Sequence, residues 1–392
     1  MRVNDYDIII TGAGCAGMQL MRAFIQDPLY KNQRILLLDD GKSAQQLKSW
    51  CFWFTEGEHP YQHLIRKQWD YLTIGTDSHQ QTNFINPYKY GYINSSDFFD
   101  FHFRLINQHP HVHYRNELTI GALKTENGFC ITTDKAIYQT NHFFSSSWNQ
   151  KAVSKQASIY LQQQFYGWVI KTAQPVFNEN SATLMDFCVN QQQGMSFIYL
   201  LPFSTDTALV EFTSFTDKHY DNQHFEVSLA DYINIRFKTS YSILKNESAV
   251  IPMTDFCFSR FTEEGGVAIG TAAGMIKPTT GYAFNRILLD SVYLAKQVLS
   301  ENKIKGFQKT RFHFYDRLLL KLLEKKPKEA RNILQTLFNS ISYQRILQFL
   351  DEDTHLGEEV MLFSKLPKKS FIQTIPELWK QPASITIPAM HT

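Results

Sequence analysis

Residues Thr207 to Thr216 read TALVEFTSFT, and one carboxylate, Glu211, stands among the Val, Phe and Thr side chains. The composition, with no Gly or Pro, is that of a β-strand. Alternation along a strand puts Glu211 on one face with Leu209 and Thr213, and Val210 and Phe212 on the other. Such an acid has two readings. In a poorly solvated pocket its pKa rises, so it holds a proton at neutral pH and can donate it. On a half-exposed antiparallel strand it is a solvated side chain, and the pattern by itself favours this second reading. Asp186, in ATLMDF, is a further candidate acid by position, or else the ion-pair partner of an Arg.

A second group of residues is suited to holding an anion. Tyr6 to Gly17 read YDIIITGAGCAG, followed by MQLMRAFIQD and then QRILLLDD. The apolar run Ile8 to Ile10 enters Gly12-x-Gly14-x-x-Gly17, a helical pattern follows, and a second apolar run ends in Asp39. Gly12 permits a tight turn, Gly14 lets backbone approach a pyrophosphate, and Gly17 lets the helix lie close to the sheet. The helix N-terminus faces the phosphates. Asp39 stands where an acid holds ribose hydroxyls. Strand, turn, helix, strand and terminal acid in this order predict a dinucleotide site, with FAD and NAD both open.

Gly266 to Phe284 read GVAIGTAAGMIKPTTGYAF. An apolar strand reaches Gly270, small residues follow, and Pro278 and Gly281 open a helical pattern running through ILLDSVYLAKQVL. Small residues admit a flat ligand against the backbone, and a helix N-terminus offers positive potential to an anionic one. The arrangement resembles the second flavin motif of FAD-dependent aromatic hydroxylases, except that Thr271 stands where those proteins have Asp.

These stretches must be positioned by a chain of 392 residues, long enough to bury a large core. Lys+Arg number 39 and Asp+Glu 37, a balance that argues against a nucleic-acid binder. The 31 Phe and 19 Tyr suit long apolar ligands and membrane interfaces as well as cores. Five widely spaced Cys without CxxC fit a reducing compartment. No signal peptide and no run of ~20 apolar residues is expected to direct or anchor the chain.

Several segments together resemble the lycopene β-cyclases. GTAAGMIKPTTGYAF is similar to the family's GTxxGxxxPTTGY signature, in which Thr after the glycine is usual. LKSWCFW (Leu47 to Trp53), QQQFYGWVI, ATLMDFCVNQ, FIYLLPF and LPKKSF add to the likeness. LVEFT is similar to the family's F-L-E-E-T motif, which implies that Glu211 is the catalytic acid. Phe212 occupies the position of the second acid, so a paired-carboxylate mechanism is not available on this strand and any partner base lies elsewhere.

The resemblance implies a Rossmann-type FAD-binding fold of the aromatic-hydroxylase-like class. It implies reduced FAD, held by Gly12, Gly14, Gly17, Asp39, Gly270, Thr271, Pro278, Thr279, Gly281 and Tyr282, with NAD(P)H as reductant. It implies lycopene as substrate, its ψ-end groups closing to β-rings in γ-carotene or β-carotene. The rivals are a monooxygenase or prenyl-chain reductase of the same fold, and a pigment-binding protein without turnover. FFSSSW (Phe143 to Trp148) has serines where related flavoproteins often carry D-S-R, so no cofactor contact is expected there.

The FAD-binding domain is expected from residues 1–45, 75–150 and 255–300, an antiparallel substrate domain from 46–74 and 151–254, and a helical segment from 301–392. In RFHFYDRLLLKLLEKKPKEARNILQTLF, Arg317, Lys321, Lys325 and Lys328 fall near one face, and Phe312, Tyr315, Leu319, Leu322 and Leu323 on the other. Such a helix either lies on an anionic membrane or packs its apolar side on the core. The first reading suits a C40 substrate and a cytoplasmic protein on the inner membrane face; no obligatory protein partner is evident. His109, His111 and His113 alternate along an expected edge strand with no carboxylate or Cys partner, a poor case for a metal.

Overall fold

The computed structural model describes residues 3–45, 48–57, 59–76, 79–191, 194–298, 304–306 and 310–380. Leu47 of the LKSWCFW stretch and residues 381–392 of the expected helical segment lie outside the described residues.

The runs Ile8–Ile10 and Ile35–Leu38 are buried at every position, as strands covered on both faces must be. They belong to the strands Val3–Thr11 and Ile35–Asp39, paired in parallel. Val112–Asn116 extends the sheet on one side, and Ile137–Ser145 on the other, again in parallel. The short strand Val267–Ala268 pairs in parallel with Ile137–Ser145, bringing the second Gly-rich stretch beside the first. Thr119–Thr125 and Gly128–Thr133 complete this sheet as an antiparallel meander. The helices Cys15–Gln26, Ser95–Asn107 and Phe284–Val298 share one apolar core with it.

The second sheet has seven strands in the order Tyr241–Thr254, Tyr160–Thr172, Thr207–Thr216, Met195–Pro202, Ser181–Asp186, Tyr71–Gly75 and Gln80–Phe84. All pairs are antiparallel except Ser181–Asp186 with Tyr71–Gly75. One face packs on the helix Asn222–Phe237 through Trp168, Val210, Phe212, Phe225 and Leu229. A third sheet, Ser49–Thr55, Tyr88–Asn94 and Lys67–Trp69, stands between the other two.

The expected boundary at residue 75 is displaced. Gln80–Phe84 returns on Tyr71–Gly75 as a hairpin and so joins the antiparallel sheet, and Tyr88–Asn94 joins the third sheet. The chain rejoins the parallel sheet only with the helix Ser95–Asn107 and the strand Val112–Asn116. The stretch QQTNF has too little apolar content to announce a strand; local pairing across a short connection decides its place.

The C-terminal segment is helical: Arg311–Lys325, Pro327–Ser340, Tyr343–Leu350, Leu356–Ser364 and Lys368–Lys380. The expected basic face of the first of these is not a lysine stripe in water. Lys321 is buried and bonds Glu324 at 2.8 Å, and Arg317 pairs with the buried Asp255 at 3.1 Å. Leu318, Leu320, Leu322 and Leu323 are all buried, so the helix is wrapped on more than one side and only part of its charge faces outward. No helix among the described residues is long and apolar enough to cross a membrane.

Candidate active site

At the first Gly-rich turn, Gly12 has φ +95°, and a Cβ there would meet Ser146 Oγ at 1.9 Å. A Cβ on Gly17 would meet Gly12 O at 1.9 Å, so helix and turn touch through backbone. Gly14 differs: a Cβ there would have no atom within 4 Å. Gly14 is also the N-cap of the helix Cys15–Gln26, with no side-chain cap and no acid in the first turn. Uncapped amide donors behind an open, glycine-lined space fit the pyrophosphate of a dinucleotide.

Asp39 is buried at the end of its strand. Its Oδ2 accepts from Ala13 N and its Oδ1 from Gly41 N, each at 2.7 Å, so the carboxylate fixes the turn itself. Ser146 of FFSSSW supports the same turn, donating to Thr11 O at 3.1 Å.

At the second stretch a Cβ on Gly270 would meet Ala16 Cβ at 2.7 Å, so this loop lies directly on the first helix. The helix expected to open at Pro278 and Gly281 begins at Phe284. Lys277 is buried and bonds Asp316 at 3.0 Å and Glu352 at 2.9 Å. Thr279 Oγ1 donates to Asp316 Oδ1 at 2.9 Å, so its hydroxyl is turned to the C-terminal helices. The PTTGY loop is thereby tied to the segment that closes the molecule.

Between these parts lies a cavity of about 960 Å³. It is lined by Cys15, Thr271, Gly281 and Tyr282 beside the Gly-rich turns, passes Glu211, and reaches Phe338, Phe363 and Phe371 on the C-terminal helices. Of the expected cofactor residues, Thr271, Thr279, Gly281 and Tyr282 line it, and Gly12, Gly14, Gly17, Asp39, Gly270 and Pro278 do not.

Glu211 is on the cavity face with Leu209, Thr213 and Phe215, while Phe212 packs against His224 and Phe225 on the far face. The residue after an inward-pointing strand acid must face outward, so position 212 offers the cavity nothing. Thr213 Oγ1 donates to Glu211 Oε1 at 2.9 Å. The solvated-acid reading fails: Glu211 is buried, and that burial holds its carboxyl well above the ordinary range. The charge of Glu247 pushes the same way, and the Thr213 bond opposes both.

Directly across the strands, Glu211 is registered with Tyr199 on one side and Gly167 on the other. Tyr199 hydrogen-bonds Tyr90, and the Tyr90 and Tyr282 hydroxyls are 2.7 Å apart. Burial raises all three phenols, so they stand as neutral donors and acceptors. Tyr282 is therefore linked to the acid strand through two further tyrosines. No local pattern joins residues 90, 199 and 282, but Gly167 inside FYGWV is a recognisable sign of close approach in a strand.

Asp186 pairs with no Arg among the described residues. It accepts from Gln80 Nε2 at 3.0 Å, Tyr232 OH at 2.9 Å and Cys188 N at 3.0 Å, which ties the sheet to the helix on its outer face. His113 packs edge-on to Tyr6, and His109 Nδ1 lies 2.8 Å from Leu105 O.

The fold is shared with proteins of solved structure. A geranylgeranyl bacteriochlorophyll reductase-like protein from Thermoplasma acidophilum superposes with TM-score 0.58 at 12% identity, covering 96% of this chain and 100% of that one. A flavoprotein/dehydrogenase from Cytophaga hutchinsonii gives 0.59 at 12% identity, covering 95% and 100%. At such identities the likeness is one of fold, and it defines the class: a Rossmann-type FAD-binding fold of the aromatic-hydroxylase-like kind.

The chain belongs to the lycopene cyclase family, whose model, described as lycopene cyclase protein, matches residues 7–375. It is similar to the lycopene beta-cyclase of Pantoea ananas, 26% identical over 290 residues, 71% of each chain.

Proposed function

We propose that this chain is a flavin-dependent lycopene β-cyclase that closes ψ-end groups to β-rings, giving γ-carotene or β-carotene. The observation that carries the reading is Glu211, buried and proton-bearing in the wall of a largely apolar cavity that runs between the Gly-rich turns and the C-terminal helices. Cyclisation needs a proton placed on an isolated trisubstituted alkene, and a carboxyl held neutral by desolvation is the group able to supply it.

In this mechanism the Glu211 proton goes to the terminal double bond. The next double bond attacks the resulting cation and closes the ring. Loss of a proton from the ring then forms the final double bond, so the substrate gains and loses one proton and no electrons. Leu209, Phe197 and Phe215 keep water from the cation. The open space at Gly14 and the uncapped helix N-terminus would hold FAD by its pyrophosphate, with Asp39 steadying the turn and Thr271, Gly281 and Tyr282 at the ring end. When bound and reduced, FAD would supply negative charge that stabilises the cation, and NAD(P)H would serve as its reductant.

Peripheral attachment to the cytoplasmic side of the inner membrane is part of the proposal, and it rests on helices other than the one expected. Val360 and Ile372 line the cavity's far end while standing 66% and 65% exposed, with Lys365, Lys368 and Lys369 in water beside them. Apolar side chains rimmed by lysines suit an anionic bilayer that holds the substrate.

The test is anaerobic incubation with lycopene in liposomes, FAD, and NADPH or dithionite, in D2O. The expected product is an isomer of unchanged formula apart from solvent deuterium, absent with Glu211→Gln. A product altered in oxygen or hydrogen content would place the chain among the monooxygenases or reductases of this fold.

A further inference from the structure

Gly167 is registered with two glutamates at once, Glu211 on the strand Thr207–Thr216 and Glu247 on the strand Tyr241–Thr254. Residues directly opposite one another share a sheet face, so both carboxylates rise from the same face with only a glycine between them. Two strand spacings put their Cα atoms about 10 Å apart. The missing side chain at 167 is where Glu211 goes: a Cβ there would sit 3.2 Å from Glu211 Cβ and 3.3 Å from its Cγ. Glu211 therefore leans across Gly167 toward Glu247.

The two acids have different surroundings. Glu211 has Thr213 as hydrogen-bond donor and otherwise lies near Tyr199, Tyr282 and Cys51, all held neutral by burial. Glu247 Oε2 accepts from Ser49 Oγ at 2.7 Å, and Ser49 in turn lies 3.3 Å from the Tyr92 hydroxyl. Glu247 also borders a separate cavity of about 330 Å³, whose walls carry Lys48, Arg66, Lys67 and Lys245. Its other oxygen, Oε1, is shut off from solvent with no hydrogen-bond partner among the described residues. A bare buried acceptor marks strain or chemistry more than scaffolding.

We infer that Glu247 is the second carboxyl of the acid site, a positioning residue whose charge across Gly167 keeps Glu211 in its proton-bearing form. Two acids so placed cannot both ionise easily, and the one with donors and cations around it takes the charge. Burial pushes Glu247 only to about 6, with Ser49 and Lys245 restraining it, so it is the member ionised at neutral pH. The pair missing from position 212 is thus supplied from two strands away. Its consequence for turnover rests on the cyclase reading, whereas its measurement does not.

The infrared carbonyl band of protonated Glu211, identified by its loss in Glu211→Gln, is to be titrated in the wild-type protein, Glu247→Gln and Glu247→Asp. The expected result is a midpoint lower by about one pH unit in Glu247→Gln and retained in Glu247→Asp. The alkaline limb of the cyclisation rate moves by the same amount. An unmoved midpoint in folded Glu247→Gln overturns the inference, even if lycopene is cyclised. A moved midpoint in a protein that does not cyclise lycopene upholds the pair and removes the cyclase reading instead. If Glu247→Gln does not fold, Glu247→Ala is read in its place, and an unmoved Glu211 midpoint in that folded variant is equally decisive.

Discussion

Glu211→Gln tests the dry acid without any assay of turnover. The substitution keeps the shape of the side chain and removes its titration. In the folded protein the carboxyl is held well above its ordinary 4.5 by burial and by Glu247. A group whose folded pKa is raised contributes its full stability below the unfolded value and loses it as pH climbs toward the folded one. In that window the unfolded chain releases a proton that the folded chain keeps, so wild-type stability falls by about 1.4 kcal/mol per pH unit relative to the variant.

Because Glu211 stays neutral in that window, its replacement by neutral Gln leaves the titration of Glu247 nearly unchanged, and the difference isolates one group. Urea denaturation of both proteins at pH 5.5 and 6.5 should therefore show the Gln variant gaining about 1.4 kcal/mol on the wild type across that interval. Parallel stability curves would mean that Glu211 ionises normally in the fold, and the proton-donor mechanism would fall with it.

Three further outcomes follow from the same contacts. Gly14→Val fills the space now free of atoms within 4 Å, so flavin absorbance after purification should be lost while circular dichroism is retained. Lys277→Met leaves the buried Asp316 without its cation, while the half-buried Glu352 keeps Arg286, and denaturation should show a loss of about 3–5 kcal/mol. That loss should shrink on acidification as the carboxylates take protons. Tyr90→Phe breaks both bonds of the tyrosine chain; stability should drop by about 1–3 kcal/mol, and Tyr282 should become more accessible to nitration.

Much of the site was legible because its parts are contiguous. Gly12, Gly14 and Gly17 act through one turn and the start of one helix, and those are set by local backbone sterics and spacing. The period of two along Thr207–Thr216 assigned Glu211, Leu209 and Thr213 to one face, and that is where they stand. Whether that face was wet or dry was not legible, since alternation describes a half-buried strand equally well whichever face is covered. The partners of Asp186 were not legible either, because Gln80 and Tyr232 are 106 and 46 residues away.

By itself, then, the sequence determined what short-range geometry determines: the dinucleotide turn, the second Gly-rich loop, the strand that carries the acid and the helical nature of the C-terminal segment. The tertiary structure decided which residues surround that acid. Register across three strands places Gly167 between Glu211 and Glu247, packing of separate sheets joins Tyr90, Tyr199 and Tyr282, and Lys277 reaches Asp316 within one C-terminal helix and Glu352 just past another. A carboxyl's proton affinity depends on water exclusion and on charges a few ångströms away. Those are properties of neighbours in space, and for Glu211 most of its neighbours are distant in the chain.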